Sequence, residues 1–218
     1  MRVLFIHGMG RTPFSGWWLC RHLQRAGFQT SSFGYSTTIE NFAGIKARLI
    51  TRVSEIAATG EYALIGHSLG GVLLRAALNE MPVTITRPIQ VFLLGSPILP
   101  SRLALRLKDN MVFRAIAGDC GQLLGSVSRM AEIGETNVPT TGIAGIRGLT
   151  LTKRAFGEAP NDGVVSVSEV SAPWIAQQHE ASAIHTMLPA NREIAELIVR
   201  QLNAIDRPVQ PPAKPHSF

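Results

Sequence analysis

The chain has 218 residues, of which 45% are hydrophobic and 17% charged, and its formal net charge is +6. Such a length supports one core that buries roughly 70% of the extended surface, and the composition argues against a disordered chain and against a membrane span. Because the basic residues are spread out, without a basic run or interleaved aromatic residues, we interpret the charge as general surface character rather than as a nucleic-acid site.

Strand and helix patterns alternate from the N-terminus. The predicted order is strand 2–6, helix 17–26, strand 28–35, helix 37–56, strand 61–65, helix 69–81 and strand 89–94. Residues 37–40 form a capping-box pattern, in which Thr37 and Glu40 satisfy each other's backbone donors at the start of the second helix. The run at 89–94 is apolar throughout, which is typical of strands that a parallel sheet buries on both faces.

The alternation changes after Gly95. The next strand pattern comes only at 141–146, and the intervening chain contains two helical patterns near 101–117 and 122–133. One crossover helix would suffice to connect parallel strands, so the additional length is informative. The segment 98–140 is either a helical cap over a functional site or a set of helices that only packs on the sheet.

The remaining segments complete the predicted domain. An apolar segment at 144–167 ends the sheet, and Pro189 stands in the first turn of a final helix. We therefore expect one α/β domain at 1–206, with a mostly parallel sheet, helices on both faces and a helical insertion after the strand that ends near Leu94. Four prolines in residues 207–218 predict a flexible tail.

The N-terminal sequence and the two cysteines bear on cellular location. Met1 leads directly into the first strand pattern and leaves no space for a signal peptide, so we expect a cytoplasmic protein or an exported form whose leader was removed. Cys20 and Cys120 lack metal-ligand spacing. We expect both to be buried thiols; one disulfide in an exported protein is the alternative.

The segment Gly66-His67-Ser68-Leu69-Gly70 lies between a predicted strand and a predicted helix. It matches the nucleophile elbow, G-x-S-x-G, in which only residues without bulk fit at the two glycines and the serine is held exposed in a strained backbone conformation. The alternative is an ordinary turn, but strand, turn and helix follow in the order that the motif requires. Ser68 is therefore the candidate nucleophile.

A nucleophilic serine needs a general base within hydrogen-bonding distance. Of the six histidines, His7 and His67 belong to glycine-rich turns, and the late part of the chain contains His179 and His185. His179 has the character of an exposed loop residue, whereas His185 precedes the last helix, where sheets of this kind carry the base. We favour His185; a purely structural histidine is the alternative.

The base in turn needs a carboxylate that orients it. Asp162, one of four aspartates, lies in an Asn-Asp-Gly turn that leads into an apolar run late in the chain. The alternative is that this segment only forms a turn, since its residues are typical turn formers. Asp162 is the candidate acid, with Glu158 and Glu169 in reserve.

Backbone donors for the oxyanion are expected at two places. One is the N–H of Leu69, which follows the nucleophile. The other is the N–H of Met9 in the loop His7-Gly8-Met9-Gly10, whose glycines let the backbone approach a substrate. His7 either supports this site or only maintains the shape of the loop.

The His-Gly-Met-Gly loop, the Gly-His-Ser-Leu-Gly-Gly elbow, the Asn-Asp-Gly-Val-Val segment and the late histidine resemble the α/β-hydrolase superfamily, and within it the small bacterial lipases and esterases. The order Ser68, Asp162, His185 is the order on that fold. The resemblance implies that these three residues form the catalytic triad, with the N–H groups of Met9 and Leu69 as the oxyanion hole. It covers almost the whole chain.

The chain departs from the smallest members of that group at two places. The insertion at 98–140 argues against a lidless enzyme, and the stretch between Ile146 and Asp162 is longer than a minimal member would use. We expect the insertion to line the acyl pocket.

Together these features predict a serine hydrolase that cleaves small-molecule or lipid carboxylic esters through an acyl-enzyme on Ser68. Neither a metal nor an organic cofactor is implied, and neither nucleic acid nor an integral membrane segment is expected. Acyl transfer, thioester cleavage and amide cleavage use the same machinery and remain open, as does a binding protein that kept the fold without the activity. The sequence does not indicate an oligomeric state.

Overall fold

A computed structural model of the chain describes residues 1–206, apart from the side chains at 151, 153 and 206; the predicted tail at 207–218 lies outside the described residues. The strands form one sheet in which every neighbouring pair is parallel. The strands are β1 (Arg2–Ile6), β2 (Gln29–Phe33), β3 (Tyr62–His67), β4 (Gln90–Leu94), β5 (Thr140–Gly145) and β6 (Gln177–Ala181). Their order across the sheet is β2-β1-β3-β4-β5-β6.

Helices connect the strands, as parallel pairing requires. They are α1 (Trp17–Arg25), α2 (Phe42–Ala57), α3 (Leu69–Glu80), α4 (Arg102–Leu107), α5 (Met111–Leu124), α6 (Val127–Ile133), α7 (Lys153–Phe156), α8 (Val167–Val170) and α9 (Arg192–Asp206). Short 3-10 segments lie at Pro13–Gly16, Thr150–Thr152 and His185–Ala190. None of the helices between residues 1 and 206 combines the length and apolar character needed to cross a lipid bilayer.

Alternate residues of the central strands fill the two faces of the sheet, because successive side chains of a strand point in opposite directions. Leu4 and Ile6 of β1 pack in one cluster with α2, α3 and the helices of the insertion. Val3 and Phe5 of the same strand pack in the other cluster, with α1 and α9. The predicted class, a parallel sheet with helices on both faces, is therefore confirmed.

The start of α2 corrects the predicted capping box. The helix begins at Phe42, and its N-cap is Asn41, whose Oδ1 accepts the Gly44 N–H at 2.8 Å. Thr37 instead donates to the Ile116 carbonyl, at 3.3 Å, and Glu40 accepts the Ser36 N–H. The residues of the pattern are thus used in a turn before the helix, since tertiary contacts offer them other partners.

The end of the sheet was also predicted wrongly. The segment 144–167 contains no strand after Gly145, and the last strand, β6, follows at Gln177–Ala181. Most of β6 is polar and only its last residue is buried, because it lies at the edge of the sheet and pairs with β5 alone. His179, predicted in an exposed loop, lies in this strand and is half-buried.

The insertion between β4 and β5 contains three helices, not two, and α5 is interrupted at Gly118, which has φ +55° and ψ −148°. A Cβ at this glycine would lie 2.3 Å from the Thr37 carbonyl oxygen, so the break permits close contact with the loop after β2. The final helix begins at Arg192, because Pro189 lies inside the preceding 3-10 segment. Cys20 and Cys120 are buried free thiols, as expected.

Candidate active site

Ser68 stands between β3 and α3 with φ +53° and ψ −125°. Within residues 1–206 it is the one residue other than glycine with a positive φ. This conformation is costly for a residue with a Cβ and persists only where the surroundings enforce it. The Ser68 N–H donates to the Leu94 carbonyl at 2.9 Å, which fixes the turn to the end of β4.

Three glycines around Ser68 are required by close backbone contacts. A Cβ at Gly66 would lie 2.4 Å from Gly71 Cα, and a Cβ at Gly70 would lie 2.3 Å from the Ile6 carbonyl oxygen. At Gly71 an added Cβ would meet Ser96 Oγ at 2.1 Å. The elbow therefore packs directly on the ends of β1 and β4, as the motif demands.

His185 and Asp162 form a buried hydrogen-bonded pair. His185 Nδ1 lies 2.6 Å from Asp162 Oδ2. The other carboxylate oxygen, Oδ1, accepts the backbone N–H groups of Val164 and Val165, each at 2.9 Å, and the His185 N–H donates to the Asp162 carbonyl at 2.9 Å. These bonds satisfy a carboxyl group that is fully buried, and they orient the imidazole through Nδ1.

His67 connects this pair to the elbow. Its Nε2 lies 3.0 Å from the His185 carbonyl oxygen, which can only accept, so Nε2 carries the proton. The two rings also pack at a centroid distance of 4.9 Å. Burial lowers the pKa of His67 well below its usual value, and the nearby His185 acts in the same direction. His67 is therefore a neutral residue that fixes the position of His185.

Ser68 and His185 both lie at the C-terminal end of β4. Gly95, which follows that strand, has φ +54°. A Cβ on Gly95 would lie 3.1 Å from both His185 Cε1 and Asp162 Oδ2. Among the described residues no hydrogen bond joins Ser68 Oγ to His185. The structure therefore brings the three candidates to the same end of the sheet without a hydrogen bond between the serine and the histidine. Catalytic hydrogen bonds of this kind are often long in proteins without substrate.

The loop after β1 lies against the serine. A Cβ at Gly8 would come within 3.0 Å of Ser68 Cβ and 3.1 Å of His67 Nδ1. Within residues 1–206, neither the Met9 N–H nor the Leu69 N–H donates a backbone hydrogen bond. Two amide donors are thus available beside the candidate nucleophile, and the Leu69 amide also lies at the positive end of the α3 dipole.

His7 maintains the shape of this loop. The Tyr35 N–H donates to His7 Nε2 at 3.3 Å, so the ring proton lies on Nδ1, which donates to the Gly8 carbonyl at 2.8 Å. The Tyr35 ring stacks on the imidazole at 4.2 Å, and its hydroxyl donates to the His7 carbonyl. Burial lowers the pKa of His7. With both ring nitrogens occupied, His7 has the structural role.

The reserve residues lie in other environments. Both carboxylate oxygens of Glu169 are occupied: Oε2 accepts from the Ser166 N–H and hydroxyl, and Oε1 accepts the Arg102 N–H at 2.6 Å. Glu158 is exposed, and His179 lies on β6. In the described part of the chain no group of three or more His, Cys, Asp and Glu side chains is arranged to hold a metal ion.

Two contacts of this site could not be found from the sequence. Gly95 is adjacent to both His185 and Asp162, and Arg75 of α3 donates to the carbonyls of Pro97 and Gly134 at the two ends of the insertion. In the sequence, Gly95 is visible only as a glycine after a strand, and Arg75 only as a single arginine in an apolar helix. Neither pattern indicates the distant residues that these two contact.

Comparison with solved structures identifies proteins of the same fold. A lipase from Bacillus licheniformis, BlEst2 in propeptide form, superposes with a TM-score of 0.71 at 16% identity over 97% of this chain. The chain spans about half of that protein, 52% of its length. The metagenomic carboxyl esterase MGS0156 gives a TM-score of 0.69 at 15% identity, covering 94% of this chain and 76% of the other.

A third similar structure is matched over almost its whole length. The methylesterase MES16 from Arabidopsis covers 94% of this chain and 99% of its own, with a TM-score of 0.60 and 14% identity. No protein-family model and no curated protein sequence matches the chain. The likeness therefore concerns the fold: the chain has the α/β-hydrolase fold, as the sequence motifs predicted.

Proposed function

We propose that the protein is a serine hydrolase that cleaves carboxylic esters, with Ser68 as nucleophile, His185 as general base and Asp162 as its orienting acid. The observation that carries the proposal is the convergence of the strained Ser68 elbow and the buried His185–Asp162 pair at one end of β4. The solved structures of this fold described above include a lipase and two esterases, which supports ester chemistry.

The Asp162 carboxylate accepts a hydrogen bond from the Nδ1–H group of His185, so that Nε2 is unprotonated and can accept the proton of Ser68 Oγ. Ser68 Oγ then forms a bond to the acyl carbon of the ester. The carbonyl oxygen becomes an oxyanion, which the N–H groups of Met9 and Leu69 stabilise. The bond between the acyl carbon and the alcohol oxygen then breaks, and His185 gives its proton to that oxygen, so the alcohol leaves and the acyl-enzyme remains. Water, deprotonated by His185, attacks the acyl carbon; the bond to Ser68 Oγ breaks, Ser68 regains its proton from His185 and the acid is released.

Kinetics of p-nitrophenyl acetate hydrolysis test this assignment. Loss of the nucleophile in Ser68→Ala is expected to lower kcat by about 10⁶, since the residues of a triad act as a unit. Ser32→Ala, the same change at an exposed position of β2, is the matched control and is expected to retain full activity. Equal rates for the wild type and Ser68→Ala would contradict the proposal.

A series of p-nitrophenyl esters with increasing acyl length then separates an esterase from a lipase. Thioester and amide analogues of the best substrate test the alternative leaving groups with the same two variants. The ester assignment requires the highest kcat/KM for the oxygen ester.

A further inference from the structure

Next to the loop after β1 the structure contains a small open cavity of about 260 Å³, between this loop, the loop after β2 and helix α5. Its lining includes His7, Arg11, Thr12, Ser36 and Ile116. Of the described residues that line it, Arg11 alone carries a charge, because His7 is held neutral by its two hydrogen bonds.

A β-turn fixes the backbone of Arg11 relative to Gly8. The Arg11 N–H donates to the Gly8 carbonyl at 3.3 Å, and Gly10, in the third position of the turn, has φ +66°. Such a turn holds its first and last Cα atoms within roughly 7 Å. Since Gly8 packs against Ser68, the turn holds the Arg11 backbone near the candidate nucleophile, and the exposed Arg11 residue lines the cavity next to the same loop.

The charge of Arg11 is not neutralised inside the protein. Within the described part of the chain, Arg11 makes no ion pair with a carboxylate. The nearest acid of the β2 loop, Glu40, is occupied, because it accepts the Ser36 N–H and pairs with Arg48. The hydroxyls of Thr12 and Ser36 lie in the same cavity and offer further hydrogen-bond donors.

We propose that Arg11 is a specificity-determining residue that binds a carboxylate on the substrate, so that the preferred esters carry a negative charge a few bonds from the scissile carbonyl. This inference rests on the proposed ester hydrolysis and deepens it. A guanidinium binds a carboxylate through two parallel N–H···O bonds, and the surrounding hydroxyls complete the site. The charge belongs either to the acyl group or to the alcohol.

Matched pairs of substrates test the proposal on both sides of the ester. For the acyl side, mono-p-nitrophenyl glutarate is compared with p-nitrophenyl hexanoate, which has similar length and no charge. For the alcohol side, 4-acetoxybenzoate is compared with its methyl ester. The quantity of interest is the ratio of kcat/KM for the charged member to that for the neutral member, because the ratio cancels changes common to both.

The wild type is expected to favour the charged member of at least one pair, and Arg11→Gln is expected to reduce that ratio at least tenfold, since a charge-assisted hydrogen bond contributes about 1.5–3 kcal/mol. Arg11→Lys keeps the positive charge but lacks the two parallel N–H donors of the guanidinium, so it should retain part of the preference. Arg25→Gln removes the same charge from an exposed position at the C-terminus of α1, which leads into the start of β2. This variant should leave the ratio unchanged.

If the ratio is the same in the wild type and in Arg11→Gln for both pairs, the inference about Arg11 is wrong. The proposed function still holds in that case, provided that the neutral esters are hydrolysed and that Ser68 is required for their hydrolysis. A protein that hydrolyses no member of either pair would contradict the proposed function as well. Circular dichroism melting of Arg11→Gln verifies that the variant is folded.

Discussion

The elbow after β3 and the helical insertion between β4 and β5 are held in place by different means. Around Ser68 the backbone segments touch each other directly, and the glycines at 66, 70 and 71 admit no side chain. The insertion is held by side-chain contacts instead: Arg75 donates to the carbonyls of Pro97 and Gly134, and the buried residues of its helices pack in the core cluster. Its first exposed part presents an apolar surface to solvent.

The exposed surface of the insertion lies on the first part of α5. Met111 is 84% exposed, Val112 65% and Ile116 57%. Beyond the break at Gly118 the same helix is fixed, because Asp119 accepts the Phe42 N–H and pairs with Arg129. The comparison supports the proposal that the elbow carries the chemistry in sterically enforced positions, and it makes the exposed part of α5 a candidate for substrate selection.

Among the variants that test this comparison, Asp162→Asn is expected to have the largest effect, which is a loss of kcat. The amide can still accept the Val164 and Val165 N–H groups through its oxygen, but its NH₂ group then faces His185 Nδ1 and forces the proton onto Nε2. We expect kcat for p-nitrophenyl acetate to fall by about 10⁴. Urea denaturation of the same variant establishes that the loss is catalytic, and an activity within tenfold of the wild type would exclude Asp162 from the proposed role.

Gly70→Ala tests how strictly the elbow is enforced. Its Cβ would lie 2.3 Å from the Ile6 carbonyl oxygen, and backbone of a central strand cannot move aside. We expect the free energy of unfolding to decrease by more than about 3 kcal/mol, or the protein not to fold. Gly44→Ala, in the exposed part of α2, is the control; there the added methyl meets only the Asn41 side chain and alanine favours the helix. Equal urea midpoints for the two variants would disprove the steric argument.

Acid should weaken the elbow through His67. Burial lowers the pKa of His67, so the unfolded chain binds its proton at a higher pH than the native protein. The stabilising contribution is therefore complete above the ordinary histidine pKa, near 6.5, and is lost as the pH falls below it, by up to about 1.4 kcal/mol per pH unit.

The measurement is the urea midpoint at pH 7.5 and at pH 5.5 for the wild type and for His67→Gln, whose amide can still donate to the His185 carbonyl. His67→Gln is expected to lose less stability between the two pH values than the wild type. The same loss in both proteins would show that His67 is not the group responsible.

The smallest effect is expected in the insertion. Ile116 lines the cavity beside the oxyanion loop, and its shortening in Ile116→Ala should change the relative kcat/KM along a p-nitrophenyl ester series by a few-fold without a loss of kcat for the acetate. Val83→Ala, at a fully exposed position between α3 and β4, is the control. An unchanged series would contradict a role for α5 in the substrate pocket.

Point variants are preferable to deletion of the whole insertion. Its buried residues contribute to the main core cluster, among them Ala104, Cys120, Leu123 and Met130. Removal of the three helices would expose that cluster, so a deletion reports on stability rather than on specificity.

The features that could be predicted from the sequence are those whose causes are local. The glycines of the elbow, the apolar strands β1, β3 and β4 and the start of α1 each leave a pattern within a few residues. The prediction for Asp162 and His185 relied on the late position of both residues, in a turn and before the last helix, and the structure brings the pair to 2.6 Å. Their proposed roles await the activity measurements.

Features that depend on distant partners could not be predicted. Edge strand β6 is polar because only one neighbour covers it, so it has no apolar pattern. Thr37 was predicted as the N-cap of α2, but Asn41 has this role. The Thr37 hydroxyl donates instead to the carbonyl of Ile116, 79 residues away in sequence. The hydrogen bond between His67 and the His185 carbonyl joins residues that are 118 positions apart, and no local sequence pattern at either residue predicts it.

Covalent labelling of the serine tests the central claim most directly. A fluorophosphonate probe, which reacts only with an activated serine, should label the wild type and Ser32→Ala stoichiometrically, and peptide mapping should place the label on Ser68. We expect no labelling of Ser68→Ala and strongly slowed labelling of His185→Ala, because the base activates the nucleophile. A wild-type protein that remains unlabelled, or a label that persists in Ser68→Ala, would contradict the account.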